Sequence, residues 1–265
     1  MTNNPKIIRG AGGPPPPSNP PQPTRTPDTL HSRQFATLLD LISEGEIEGF
    51  ATASKAGLTK GTTAYNNAAL KDIFLNNTAI LQSSASNTSP VSTDFNFQDV
   101  SFTPRFGTSN QEHISGIESS QSINPVGVTV TNSTPVTRTI TNSDIDAVKV
   151  TVTFPQIQVA TDGGDLLGSS VNLQIQIQYN GGGFTTLIDD TVTGRTADAY
   201  QKEYRVNLTG SFPVDVKVVR VTADATSAST VNTFQFTSFT EIIDDKQTYL
   251  NSAYTSLRLD SQQFS

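Results

Sequence analysis

Cysteine and tryptophan are absent from the 265-residue sequence, methionine occurs once and histidine twice. Without cysteine there is no disulfide, no thiolate zinc site, no iron–sulfur cluster and no thiol nucleophile. His31 and His113 are too few for most His-rich metal sites. Charge is also scarce: Asp, Glu, Lys and Arg make up 15% of the chain, against about 25% in an average globular protein. Basic residues number 17 and acidic ones 24, for a net charge of −7. No basic patch is legible, so specific nucleic-acid binding is not expected, and an anionic membrane surface would repel the chain. No apolar run approaches the ~20 residues of a membrane-spanning helix, so no membrane insertion by this segment is expected. The N-terminus has no apolar signal-peptide stretch, and the chain is expected to start as synthesised at Met1.

What fills the space left by charge is Ser, Thr, Asn and Gln, a mixture that favours strands and turns over long surface helices. Residues 1–29 differ from the rest. They hold nine of the 15 prolines, including Pro14, Pro15, Pro16 and Pro17. Proline lacks the N–H that helices and central strands need, so this stretch is expected to be an extended arm. An arm with so few apolar residues cannot bury itself. It is expected to lie along a partner surface, with Ile7 and Ile8 as anchors beside Arg9 and Pro14 to Pro17.

The spacing of Phe35, Leu38, Leu39 and Ile42 predicts one short helix, since i, i+3, i+4 and i+7 share a face. Ser32 stands where an N-cap would, and Gly45 where the helix would stop. After that the period changes to two. Asn76-Asn77 and Asn180-Gly181 sit between apolar runs and predict tight hairpins. Strand candidates follow at 95–106, 126–130, 136–140, 147–154, 171–178, 186–192, 204–208, 214–222 and 234–243. In 171–178, Val171, Leu173, Ile175 and Ile177 alternate with Asn172, Gln174, Gln176 and Gln178, the pattern of a strand with one wet face. Short strands at such regular spacing between about 120 and 240 predict a sandwich.

Chemical candidates are thin. Glu44, Glu46 and Glu48 alternate around a glycine turn and are expected to be solvated. Glu241, Asp244 and Asp245, or Asp162-Gly163-Gly164-Asp165, supply oxygen ligands of the kind Ca²⁺ takes, but neither has EF-hand spacing. A charged strand end and a connecting turn are the simpler readings. A Ser–His–Asp triad would have to recruit His31 or His113, and no G-x-S-x-G elbow is present. Gly10-Ala11-Gly12-Gly13 runs into proline, not into a helix, and so fails as a phosphate cradle. No cofactor and no enzymatic reaction are expected.

Three stretches resemble the N-terminal part of the host-specificity or tail tip protein J family of long-tailed, lambda-like phages. Leu38 to Gly49 (Leu-Leu-Asp-Leu-Ile-Ser-Glu-Gly-Glu-Ile-Glu-Gly) is similar to the family's I-S-E-G-x-I-E-G signature. Thr134 to Thr141, followed by Ile145-Asp146, is similar to T-P-x-T-R-T-I-T, with Leu173 to Gln178 and Asn180-Gly181-Gly182 next in order. Phe239 to Gln247, then Asp260-Ser261-Gln262-Gln263-Phe264, is similar to Y-T-E-I-I-D-x-K-Q and D-S-x-Q-F.

That resemblance implies a mainly β fold: a split hub β-barrel domain with an inserted β-sandwich-like domain, one short N-terminal helix and an extended Pro-rich arm. By analogy the arm is 1–29, the hub domain 30–118 and 240–265, and the insertion 119–239, with the barrel completed beyond Ser265 or by another subunit. Family members continue past this point through further hub domains, fibronectin-like domains and a receptor-binding tip. The implied role is structural: a trimeric central hub that closes the tail tube at the distal end of the virion tail and links it to host recognition. Implied partners are two further copies of the chain, the distal-tail or tail-tube ring proteins, neighbouring tail-tip subunits and the tape measure protein. A carbohydrate-binding or adhesin-type β-sandwich module is the alternative.

Overall fold

The computed structural model describes residues 22–260. Its first strand, β1 (Phe35–Glu44), overturns the helix predicted there. It pairs antiparallel with a strand more than two hundred residues later, from Phe35 opposite Asp260 to Glu44 opposite Ser252. A short apolar run such as Phe-Ala-Thr-Leu-Leu-Asp-Leu-Ile fits both periods, and one isolated helix of this length is marginal in water. The ladder offered by a distant strand therefore outweighs local spacing. His31 and Ser32 consequently do not open a helix, and Gly45 is no helix stop. Gly45 has φ +99° and its N–H donates to the Asn251 carbonyl at 2.6 Å.

Two short helices follow, α1 (Ala51–Lys55) and α2 (Thr63–Ala69). The Thr62 hydroxyl caps α2 by accepting from the Tyr65 N–H at 3.2 Å. The hairpin β2 (Phe74–Leu75) and β3 (Thr78–Ala79) turns on Asn76 and Asn77, both at positive φ, as expected from their type. Next comes β4 (Ser101–Phe106), shorter than the strand read over 95–106. Its ladder partner, β16 (Ser252–Asp260), lies at the other end of the chain, in a sheet ordered β1-β16-β4. Leu257 and Leu259 of β16 and Phe102 of β4 point into a small core with Ala53, Tyr65, Ala68 and Ile80.

Everything between β4 and β16 forms a second body. Its strands are β5 (Glu118–Val130), β6 (Val136–Ile140), β7 (Ala147–Phe154), β8 (Gln158–Ala160), β9 (Leu166–Leu167), β10 (Ser169–Tyr179), β11 (Thr185–Gly194), β12 (Tyr200–Asn207), β13 (Val214–Arg220), β14 (Thr230–Val231) and β15 (Phe234–Asp244). Two four-stranded antiparallel sheets, β11-β10-β13-β6 and β12-β7-β15-β5, face each other, and β14-β8-β9 makes a small third sheet. The core between the large sheets holds Val171, Leu173, Ile175 and Ile177 of β10, and Val214, Val216 and Val218 of β13. Opposite them lie Val148, Val150, Val152 and Phe154 of β7 with Phe234 and Phe236 of β15. The sandwich is thus inserted in a sheet whose strands come from before and after it. Fold class is mainly β, and among the described residues the three-stranded sheet does not close into a barrel.

Candidate interaction surface

Strand β1 is an edge, and its outer backbone groups face no strand among the described residues. Its side chains are unusual for such a position. Leu41 is 64% exposed, Ile42 46%, Leu38 42%, Leu39 41% and Phe35 40%, which is too much apolar area to be incidental. Natural edges are normally blunted by lysine, proline, brevity or a bulge. This one has neither lysine nor proline, spans ten residues, and has one bulge between Leu41 and Ser43, near its end. Phe35 and Leu39 share a face with Arg258 of β16, whose guanidinium lies 3.8 Å from the Phe35 ring centroid. The same ten residues carry much of the Leu38–Gly49 signature. Period reading made them one face of a helix, and the structure makes them exposed residues of an edge strand.

Behind β1 runs a groove of about 1550 Å³, between the outer face of β1-β16-β4 and the solvent face of the β12-β7-β15-β5 sheet. One wall carries Phe35, Leu39 and Arg258, the other Glu118, Lys149, Glu203 and Arg205. The charged wall is paired throughout. Lys149 lies 3.6 Å from Glu118 and 3.9 Å from Glu203, and Arg205 is 2.6 Å from Asp244 and 3.7 Å from Glu118. Asp146 accepts from Lys246 at 2.7 Å and from the Asp244 N–H at 3.0 Å. Burial works to raise the Asp146 carboxyl, but these donors prevail and hold it below the usual carboxylate range. This network ties together the two places where the chain enters and leaves the sandwich, since the Asp245 N–H also donates to the Ile117 carbonyl at 2.7 Å.

Two of the three carboxylates in the acidic cluster of the sequence are engaged. Asp244 holds Arg205, and Asp245 accepts from the Gln247 N–H at 2.8 Å. The Asp162–Asp165 stretch is a turn: the Thr161 N–H donates to the Asp165 carbonyl at 2.9 Å, and the Asp165 carboxylate accepts from the Thr24 N–H. Among the described residues no cluster of three or more His, Asp or Glu side chains is arranged to hold a metal. Glu44, Glu46 and Glu48 are exposed. His31 lines a cleft of about 370 Å³ with Arg33, Asp99, Tyr200 and Asp260, where Arg33 pairs with Asp99. His113 is remote from it in sequence and its carbonyl accepts from Arg105 at 2.6 Å.

One further element was not legible beforehand. Residues 22–33 form a strap laid along the chain's own sandwich, so this part of the arm does not need a partner surface. Backbone groups alternate with β9: the Thr26 N–H donates to the Leu166 carbonyl and the Leu166 N–H to the Thr24 carbonyl, each at 2.9 Å. Farther on, the Thr29 N–H donates to the Arg195 carbonyl at 2.9 Å. The Arg195 side chain is 2% exposed and donates to the Thr26 carbonyl at 2.9 Å and to the Asp28 carboxylate. A buried guanidinium needs such partners, and the strap supplies the closest ones. Sequence reading passed over Arg195 because a lone arginine in a Thr-Gly-Arg-Thr turn has no pattern. Ile7, Ile8, Arg9, Pro14, Pro15, Pro16 and Pro17, together with the Gly10–Gly13 stretch, lie outside the described residues.

Residues 120–245 match the family model for the FNIII-A domain of tip attachment protein J. The resemblance put fibronectin-like domains only farther along such proteins; the match places one here, on the sandwich. Over 244 residues and 91% of its length, the chain is 31% identical to tip attachment protein J of Escherichia phage SECphi4, covering 20% of that protein. Tip attachment protein J of Escherichia phage SECphi27 is 26% identical over 74% of the chain and 16% of that protein. The chain thus spans a fifth or less of these curated relatives. Among solved structures, a family GH115 4-O-methyl-alpha-glucuronidase aligns at a TM-score of 0.28 and 10% identity over 53% of this chain and 19% of that one, too weak to bear on fold or activity. At 31% identity over 91% of its length, the chain belongs to the tip attachment protein J family.

Proposed function

We propose that the chain is a structural segment of a phage tail tip, acting at the distal end of the virion tail. Three copies form a central hub that closes the tail tube and links it to the host-recognition apparatus. The three-stranded sheet, with residues 30–118 and 240–265, is the hub part, and the sandwich projects from it. The observation that carries this reading is the exposed apolar edge of β1. A ten-residue edge of this composition invites pairing with another chain, and closed rings of identical subunits remove such edges. The names of the relatives supply the setting, a tip attachment protein.

In the same reading, the tail-tube or distal-tail ring proteins and the tape measure protein are neighbours, and Ile7, Ile8, Arg9 and Pro14–Pro17 contact an adjacent tail-tip subunit. No reaction is assigned. A carbohydrate-binding or adhesin role gains no support from the outward face of β10. Its amides are engaged with one another's neighbours: Asn172 donates to Asp189 at 2.7 Å, and Gln174 to the other Asp189 oxygen at 2.8 Å.

Gold-labelled antibody against residues 120–240, applied to purified particles and viewed by electron microscopy, tests the proposal. Label confined to the distal tail tip is the expected result. Label on the capsid, along fibres or on no particle overturns it.

A further inference from the structure

The strap and its track have the features of a ligand and its binding site. The strap backbone is read at four residues: Thr24 and Thr26 by Leu166, Thr29 and Leu30 by the Arg195 carbonyl. Its side chains are read as well. Asp28 meets the buried Arg195 and accepts from the Ala197 N–H at 3.4 Å, Thr29 accepts from the Arg195 N–H at 3.1 Å, and Ser32 accepts from the Gln201 N–H at 2.8 Å. Leu30 packs on the sandwich core. Two glycines clear the way. A Cβ on Gly194 would stand 2.6 Å from the Thr29 hydroxyl and 2.8 Å from Leu30 Cγ, and one on Gly164 would stand 3.2 Å from Pro23. The side-chain requirements fall on a segment that reads Thr-Arg-Thr-Pro-Asp-Thr-Leu, Thr24 to Leu30.

The strap ends one residue before the exposed edge. Ser32 is the last residue bonded to the sandwich in the strap, Arg33 bonds to Asp99 beside β4, and only Gln34 separates Arg33 from β1. The strap and the exposed edge are thus joined by a single residue, so a copy that pairs through β1 does so next to its own strap. Exchanging an identical segment between copies costs little, because the contacts made in trans are those already made in cis.

We infer that the track is a peptide-binding site that accepts residues 22–33 of a second copy of this chain, so that assembled copies exchange straps. The inference rests on the self-association read from β1. Its occupant is defined by the chemistry of the track: an extended segment with an aspartate for Arg195, a threonine hydroxyl for its N–H and a leucine for the core.

The cysteine-free sequence makes a direct test simple. Arg25 and Leu166 face each other as a bridge pair. One full-length chain carries Arg25→Cys, a second carries Leu166→Cys, and the two are mixed, allowed to assemble and oxidised. A disulfide-linked species at twice the chain mass is the expected result. Adding Arg195→Ala to the Leu166→Cys chain is expected to lower its yield roughly tenfold or more, the factor that corresponds to about 1.4 kcal/mol. The double variant in one chain calibrates the geometry and should give an internal link. If it links internally while the mixture gives no linked dimer, the strap stays in cis and exchange is overturned. If neither links, the strap does not occupy this track and the inference falls. A linked dimer that ignores Arg195→Ala also overturns it, as random collision. The oligomeric mass before oxidation is read separately, by light scattering. Loss of exchange in a still-assembled species leaves the tail-tip reading standing, whereas a chain monomeric at every concentration removes the premise of both.

Discussion

Strands β10 and β1 are eleven and ten residues long, yet they have opposite fates. In β10, Val171, Leu173, Ile175 and Ile177 are sealed between two sheets, and the amides between them face water. In β1, five large apolar residues remain at least 40% exposed. The difference lies in neighbours. β10 sits inside a four-stranded sheet with a second sheet across from it, whereas β1 has a strand on one side only and a groove over one face. The sandwich is finished by its own chain. The three-stranded sheet leaves the β1 edge uncovered among the described residues.

Substitutions in the two regions should separate stability from assembly. Phe236→Ala, at a fully buried position of β15, is expected to cost about 3–5 kcal/mol by the usual cavity penalty, read as a fall in the urea or thermal midpoint. Leu257→Ala in β16 should cost about 2–5 kcal/mol. If that loss appears as a separate transition from the one Phe236→Ala moves, the two bodies unfold independently. Arg195→Ala removes a buried, charge-assisted anchor worth about 1.5–3 kcal/mol. It should expose residues 22–33 to limited proteolysis while the sandwich itself stays protected. Equal protection in the variant would show that backbone pairing alone retains the strap.

Acid should affect the sandwich through two carboxylates, Asp146 and Asp190. Burial tends to raise the Asp190 carboxyl, but Lys202 and the Tyr204 hydroxyl, each at 2.6 Å, hold it below its ordinary range, as the donors around Asp146 do there. In each case the folded state binds the proton less readily than the unfolded one. Their stabilisation is therefore complete above the unfolded value of about 3.9 and is lost as pH falls through the lower folded values. Chemical denaturation at a series of pH values should be flat from neutral to about pH 5 and decline below about pH 4. Asn in place of both Asp146 and Asp190 should flatten the decline. The smallest folding effect belongs to β1: Leu39→Ser with Leu41→Ser should change monomer stability by no more than about 0.5 kcal/mol, yet abolish concentration-dependent association measured by light scattering. A large loss of stability instead would mean that this edge is part of a core, and would break the comparison.

How much of this could be read in advance differs by element. The amide-and-aliphatic alternation of β10 could be read because period two has one solution when a strand has one wet face. Asn76-Asn77 and Asn180-Gly181 could be read because left-handed turn positions select few residue types, and all four take positive φ. The helices α1 and α2 could not, being five and seven residues long with no sustained period. Nor could the state of Phe35 to Ile42, where three-four spacing and a plain apolar run coincide. The motif over Leu38–Gly49 carried the family resemblance without indicating that its first residues form an edge strand.

Composition and local spacing were enough for a mainly β chain and for most sandwich strands, because these follow from a few residues' dihedral and hydration preferences. Pairing across the chain needed the whole molecule. Which strand β1 joins, that β16 returns to lie between β1 and β4, and that Arg195 waits for Asp28 are all contacts between residues far apart in sequence. Their energies come from the partner, not from the segment, so no window on the segment contains them.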